Sequence, residues 1–272
     1  MSNTGRYALI TGSARGIGAA IAIAFAKEGY SGIGINYAFD EESAVQTVAE
    51  IEALGVPVKM YQADVSKKED CERLVNSFIA DFGKIDVLVN DAGACVAGLD
   101  PVDGFSDEAL DLICDVNLKG TMYVTRAALN VMAEQTAVVK GQGEVKGIGN
   151  IINVSSVSAG TGCGGAPYMA TKGAIISLTK HIALRYATKR SIRANCLCPG
   201  SVWTDMTKRE LAAQPKYSDK ANEFNASIGQ HSSAGVGISN TADMANILVF
   251  LASDESKAIN GQIITADYGC NL

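Results

Sequence analysis
Short runs rich in Val and Ile alternate with longer stretches of helical spacing along the chain. The strand-like runs are 6–11, 32–37, 56–64, 85–90, 149–156, 192–198 and 262–267. Between them, 16–29, 41–54, 67–82, 106–117, 119–134, 166–188 and 241–253 read as helices. Gly29, Gly55 and Pro57 serve as stop signals, and Ser66 as the cap of the third helix. The strand runs are apolar throughout rather than alternating, which requires cover on both faces. Such a chain folds as an α/β structure, a doubly wound, seven-stranded parallel sheet flanked by helices on both faces.

No composition shift marks a boundary, so residues 1–272 read as a single domain. Two stretches break the rhythm. Residues 136–149 are rich in Gly and Lys and read as a surface excursion. Residues 205–240, with weak periodicity and many Ser, Asn and Gln, read as a substrate flap. The net charge of −6, with no basic cluster, argues against nucleic acid as a partner. No apolar run approaches the roughly 20 residues of a membrane helix, and the first strand begins too early for a signal peptide. The expected location is the cytoplasm. Seven cysteines, an odd number, favour reduced thiols. Cys196 and Cys198 read as buried strand thiols rather than metal ligands, and two histidines leave little for zinc chemistry.

The stretch "TGSARGIG" (11–18) joins the first strand to the first helix. Glycines at 12, 16 and 18 permit a tight turn, close approach of backbone to a pyrophosphate, and close helix–strand packing. The helix N-terminus adds N–H groups and positive dipole for the phosphates. Its place in the first βα unit suits a dinucleotide.

With spacing T-G-x-x-x-G-x-G, the chain resembles the short-chain dehydrogenase/reductase family, in its single-domain, Rossmann-like branch. "NDAG" (90–93), Asp64, Asn117, "SS" (155–156), "YMATK" (168–172), "PGSVWTDM" (199–206) and "NGQIITADYG" (260–269) fall in that family's order. The resemblance implies a nicotinamide cofactor held by Gly12, Ser13, Arg15, Gly16, Ile17 and Gly18 at the phosphates. It implies Asp64 and Val65 at the adenine, and Asn90, Ala92 and Gly93 beside the cofactor. Pro199, Gly200 and Val202 would meet the nicotinamide, with Thr204 near its carboxamide or the phosphates. Two departures stand out: Asp91 replaces the second Asn of N-N-A-G, and the run from the serines to Tyr168 is one residue short. Counting back from Tyr168 selects Ser155, whereas aligning the strand selects Ser156. Ser156 is favoured, because the Gly-rich loop 160–165 absorbs a deletion more easily than a core strand.

Tyr168 and Lys172, four apart, share one helix face. Reducing a carbonyl requires a proton at oxygen as hydride reaches carbon. A phenol of unperturbed pKa about 10 exchanges poorly at neutral pH, and a neighbouring ammonium lowers that value. Tyr168 is then the general acid in reduction and the base in oxidation. Ser156 would hydrogen-bond the substrate oxygen. By resemblance, Lys172 would also hold the nicotinamide ribose, and Asn117 a water linking Lys172 to solvent. The place of an NAD-selecting acid falls on Asn36, followed by Tyr37, with no carboxylate to repel a 2′-phosphate. Arg15 could pair with that phosphate, while Asp40, Glu41 and Glu42 pull the other way. NADP is therefore preferred, with NAD the alternative.

Ala94, Cys95, Val96, Gly162, Cys163, Trp203 and part of 205–240 would line a substrate pocket without a fixed cation, which suits a neutral carbonyl or secondary alcohol. The alternatives are a 3-oxoacyl-thioester reductase, whose carrier would need a basic patch to which Lys208 and Arg209 could contribute, and a catalytically silent cofactor-binding regulator or scaffold. An intact Tyr/Lys/Ser/Asn set speaks against the last. The resemblance also implies a homotetramer built through the helices at 106–134 and 166–188 and the C-terminal strand.

Overall fold
The computed structural model describes residues 5–96, 102–139, 143–162, 164–187, 191–213 and 238–270. The first half alternates β1 (Tyr7–Thr11), α1 (Gly16–Lys27), β2 (Gly32–Tyr37), α2 (Glu41–Ala53), β3 (Val58–Gln62), α3 (Lys68–Phe82) and β4 (Val87–Asn90). Next, α4 (Asp107–Ile113) passes through a π-helical turn (Cys114–Gly120) into α5 (Thr121–Met132). A hairpin of β5 (Thr136–Val139) and β6 (Gly143–Lys146) follows, then β7 (Ile148–Val154), a single turn α6 (Ser158–Thr161) and α7 (Ala166–Ala187). The chain continues through β8 (Ser191–Pro199), α8 (Asp205–Ala213), α9 (Thr241–Ala252) and β9 (Ile263–Ala266).

Seven strands form one sheet in the order β3-β2-β1-β4-β7-β8-β9, every neighbouring pair parallel. The chain winds outward from β1 in both directions, so a crevice opens between the carboxyl ends of β1 and β4. Register aligns Thr11 with Asn90 and Asn90 with Asn153, which brings these strand ends to one level.

The apolar runs form strands because both faces are covered. One core lies between the sheet and α1, α2 and α9, with Ile21, Phe25, Ile33, Ile35 and Leu248 fully buried. The other packs α3, α5 and α7 on the opposite face around Leu74, Phe78, Leu88 and Met132. The glycines of β2 have a packing cause. A Cβ on Gly32 would stand 2.5 Å from the Phe82 ring, and one on Gly34 would stand 2.6 Å from the Phe78 ring. The spacing of Cys71, Leu74, Val75 and Phe78 puts one buried stripe of α3 on the sheet, and left-handed Gly83 ends that helix.

One expectation is corrected. Ser66 does not cap α3: its hydroxyl donates to Asp64 Oδ1 at 2.7 Å, and extended Lys67 starts the helix without a side-chain cap. The stretch 136–149 holds an antiparallel hairpin, with Thr136 opposite Lys146, and the beginning of β7. Of the stretch 205–240, residues 205–213 are helical, and 214–237 lie outside the described residues. No helix among the described residues is long and apolar enough to cross a membrane.

Candidate active site
A cleft of about 730 Å³ follows the carboxyl ends of the strands from Tyr37 and Asp40 at one end to Tyr168 and Lys172 at the other. Its floor begins at the Gly-rich turn. Gly12 adopts φ +65°, and a Cβ there would stand 2.6 Å from Ala92 Cα, so only glycine lets the two loops meet. Thr11 Oγ1 accepts the N–H groups of Asp91 and Ala92, each at 3.1 Å, and holds the second loop against the first. Helix α1 begins after extended Arg15 with no side-chain cap. Gly16 is also left-handed, and a Cβ on it would lie 3.7 Å from the Thr204 methyl, which covers the turn from above. This cradle, closed to any side chain at Gly12 and roofed at Gly16, suits a pyrophosphate.

The expected cofactor residues divide by location. Gly12, Arg15, Gly16 and Ile17 line the cleft, as do Asn36, Tyr37, Asp64 and Val65. Ala92, Gly93, Pro199, Gly200, Val202 and Thr204 line it as well. Ser13, Gly18, Asn90 and Asn117 do not form its wall. Ser13 is buried, donating to Ile10 O at 2.8 Å and accepting the Asn36 N–H at 3.0 Å. A Cβ on Gly18 would stand 2.8 Å from Asp91 Oδ2, so α1 starts directly against that carboxyl. Asn90 is buried and donates to Thr125 and to Asn153 Oδ1.

Asn36 reaches the cleft, but its side chain turns inward. Oδ1 accepts from Gly12 N at 3.2 Å, and Nδ2 donates to Ala63 O at 3.0 Å, tying the Gly-rich turn to β3. The outer end of the cleft is instead made by Ala38, Phe39 and Asp40. Asp40 caps α2 by accepting from Ser43 N and Oγ, and these bonds, with nearby Arg15, hold its carboxyl below the usual range. Arg15 lies 2.5 Å from Asp40 and 3.9 Å from Asp205 at the start of α8. Burial, and after it the nearby Glu41 carboxylate, raises the Tyr37 pKa. Asp64 is folded on itself in a turn that accepts Ser66 N at 3.0 Å.

At the inner end, α7 carries Tyr168 and Lys172 one turn apart. Lys172 is 5% exposed, its Nζ donating to Val154 O at 2.9 Å and lying 5.6 Å from the Tyr168 ring centre. Burial lowers its pKa, and Asp91 opposes that shift. The two serines part company. Ser155 is buried and donates to Lys172 O at 2.7 Å, whereas Ser156 meets Ser158 Oγ at 3.1 Å beside the cleft. The single turn α6 lies between them and α7. Asn117 lies in the π-helical turn, with Oδ1 accepting from Ala94 N at 2.7 Å and Nδ2 donating to Ala94 O at 3.0 Å.

Of the expected substrate-side residues, Ala94 and Cys95 line the cleft. Val96, Gly162 and Trp203 stand outside its wall, the last half-exposed under Lys208, and Cys163 lies outside the described residues. Asp205, Met206, Thr207, Arg209 and Ser239 of the stretch 205–240 line the cleft too. Sequence reasoning missed Leu112, Val116 and Cys270, which line the cleft from distant segments and belong to none of the motifs. Cys196 and Cys198 are buried in β8.

Known proteins place this geometry. A family model described as Enoyl-(Acyl carrier protein) reductase matches residues 12–271. The chain is 36% identical over 265 residues to 3-oxoacyl-[acyl-carrier-protein] reductase FabG of Staphylococcus aureus, covering 97% of each. It is 34% identical over 269 residues to L-rhamnose 1-dehydrogenase (NAD(P)(+)) of a Sphingomonas species, covering 97% of this chain and 96% of that one. A short chain dehydrogenase from Burkholderia cenocepacia, solved in complex with NADP, superposes over 100% of both chains with a TM-score of 0.81 and 28% identity. With a seven-stranded parallel sheet, a glycine cradle and a Tyr–Lys pair in one cleft, the chain belongs to the short-chain dehydrogenase/reductase family of NAD(P)-dependent oxidoreductases.

Proposed function
We propose that the chain interconverts a neutral carbonyl and its secondary alcohol with NADP in preference to NAD, using Tyr168 as the acid and base. The observation that carries this reading is the cleft itself, which joins the Gly12–Ile17 cradle to the Tyr168–Lys172 face. The cofactor would lie with its phosphates on Gly12, Arg15, Gly16 and Ile17, its adenine by Asp64 and Val65, and its nicotinamide by Pro199, Gly200 and Val202. When bound, it supplies the hydride in reduction and accepts it in oxidation.

Tyr168 gives its hydroxyl proton to the carbonyl oxygen in reduction and takes it back in oxidation. The Lys172 ammonium stabilises the phenolate, and each unit of lowered pKa corresponds to about 1.4 kcal/mol. Ser156, on the cleft side of the strand end, donates to the substrate oxygen and orients it. Asn117 supports the site from below by fixing Ala94, the position from which it would also hold a relay water. NADP is favoured because Arg15 is the cation at the outer end, although Asp40 and Asp205 already share its charge. Screening ketones and alcohols with both cofactors, by absorbance of the reduced nicotinamide, tests the reading. Failure with every carbonyl, or equal turnover by Tyr168→Phe, would overturn it.

A second reading, reduction of a 3-oxoacyl thioester, is supported by the Staphylococcus aureus relative and by Arg209 at the cleft wall. Turnover of acetoacetyl-coenzyme A in preference to simple ketones would establish it. A homotetramer through α5 and α7 is supported by Met122 and Leu184, apolar side chains left 47% and 72% exposed on those helices. Light scattering during size exclusion measures the state directly.

A further inference from the structure
Tyr268 is the single residue other than glycine with left-handed backbone among the described residues, at φ +56°. A side chain rarely adopts that conformation, and where it persists the surroundings must hold it. Its hydroxyl donates to Asp243 Oδ2 in the first turn of α9. Tyr268 belongs to no buried core and borders a second hollow of about 280 Å³, so burial does little to fix its turn.

The turn carries one side of the cleft wall. Asp267 and Cys270, on either side of Tyr268 in sequence, line the cleft. Gly269 N–H donates to Asp267 Oδ1 at 3.0 Å, and Cys270 N–H donates to Asp267 O at 3.1 Å, which closes the turn. Gly200 N–H donates to Ala266 O at 2.9 Å, and a Cβ on Gly200 would stand 2.7 Å from Asp267 Cβ. Residues 200–202 of the cleft wall therefore rest directly on this turn.

The start of α9 grips the same wall. Ser239 N–H donates to Ser201 O, and Ser239 O accepts from Trp203 N–H, each at 2.8 Å. Asn240 then caps α9 by accepting the Asp243 N–H at 2.9 Å. The wall thus has two supports, one before α9 and one after β9. The Tyr268–Asp243 bond ties them to each other.

We propose that Tyr268 is a positioning residue for the nicotinamide-facing wall: its bond to Asp243 holds the left-handed turn that seats residues 200–202. The proposal rests on the cofactor placement above. Glycine would keep this backbone unaided, whereas any other side chain needs a fastener. Without it, residue 268 relaxes toward negative φ, Asp267 moves off Gly200 and the wall loosens. The phosphate cradle at Gly12–Ile17 lies on other elements and is unaffected.

Tyr268→Phe removes the bond and keeps the strain. In the unliganded chain, hydrogen exchange of the peptide 199–204, which holds the bonded N–H groups of Gly200 and Trp203, should quicken about tenfold. At saturation kcat should fall about tenfold, because a displaced nicotinamide spoils hydride alignment, while NADPH affinity stays within about threefold. Tyr268→Gly loses bond and strain together, and should bring both readings within about twofold of the unsubstituted chain. Asp243→Ala should copy Tyr268→Phe, and should add nothing in the Tyr268→Gly background. Asp243→Asn, which keeps an acceptor, should leave both readings unchanged.

Unchanged exchange at 199–204 in Tyr268→Phe would overturn the proposal, even beside a lower melting temperature. So would a Tyr268→Gly chain as loose as Tyr268→Phe. A chain that turns over no carbonyl would sink the functional reading alone, because exchange needs neither substrate nor cofactor and still decides this one. Should Tyr268→Phe fail to fold, Asp243→Ala cuts the same bond from the other side and carries the same expectation.

Discussion

The Ser155 hydroxyl donates to the carbonyl oxygen of Lys172 at 2.7 Å, so the strand serine that faces the helix is spent on its backbone. Both serines border the cleft, but the hydroxyl of Ser156 reaches only Ser158 across a surface turn. The two alanine variants should therefore fail in different ways. Ser156→Ala should lose about 10²–10³ in kcat with little change in melting temperature. Ser155→Ala removes the strand's bond to a carbonyl inside α7, costing about 0.5–1.5 kcal/mol, while the substrate contact survives. Steady-state kinetics beside thermal melts separate them, and the reverse pattern would assign the catalytic serine to 155.

Tyr168→Phe keeps the ring over Lys172 and removes only the hydroxyl. Carbonyl reduction should fall by about 10²–10⁴ while the reduced dinucleotide still binds. Stopped-assay kinetics and fluorescence titration of the reduced cofactor measure the two effects. A variant that lost binding as strongly as turnover would argue for a structural hydroxyl.

Gly12→Ala would place a Cβ 2.6 Å from Ala92 Cα, at a residue held at φ +65°. Backbone rather than a flexible side chain stands in the way, so both loops must part. Strain of about 1–3 kcal/mol and at least tenfold weaker dinucleotide binding are expected. Calorimetric titration with NADPH measures the affinity. Gly29→Ala, where a Cβ meets nothing within 4 Å, controls for left-handed strain alone.

Arg15 and Asp40 form a pair that a 2′-phosphate would have to share. Arg15→Ala should weaken NADPH about tenfold more than NADH. Asp40→Asn should shift preference toward NADPH and still cap α2, since Asn caps as well as Asp. The same variant tests the acid limb of stability. The folded carboxyl lies below the ordinary Asp value, so its contribution is present above the unfolded pKa and is lost as pH falls through the depressed value. Thermal melts at low pH should therefore fall less steeply in Asp40→Asn.

Much of this was legible because it depends on local pattern. The runs at 32–37 and 85–90 could only be buried strands, and the glycine spacing at 11–18 announced its turn before any neighbour was known. The Tyr168–Lys172 face followed from helical geometry alone. What escaped depends on distant segments. Asn36 occupies the right place for a ribose contact, yet its amide is claimed by Gly12 and Ala63 once β1, β2 and β3 align. Likewise Asp91 reads as a small change in a turn until the sheet brings the start of α1 at Gly18 against its carboxyl. The π-helical turn at Cys114–Gly120, which carries Asn117, left no mark in a periodicity that read as two helices.

The bare backbone of β2 carries an evolutionary consequence. With hydrogen alone at Gly32 and Gly34, the rings of Phe82 and Phe78 rest directly on the strand. The strand and α3 are thus bound to change together. A lineage that gains a side chain at position 32 or 34 must also trade away bulk at 82 or 78, leaving paired substitutions as the historical trace of that contact.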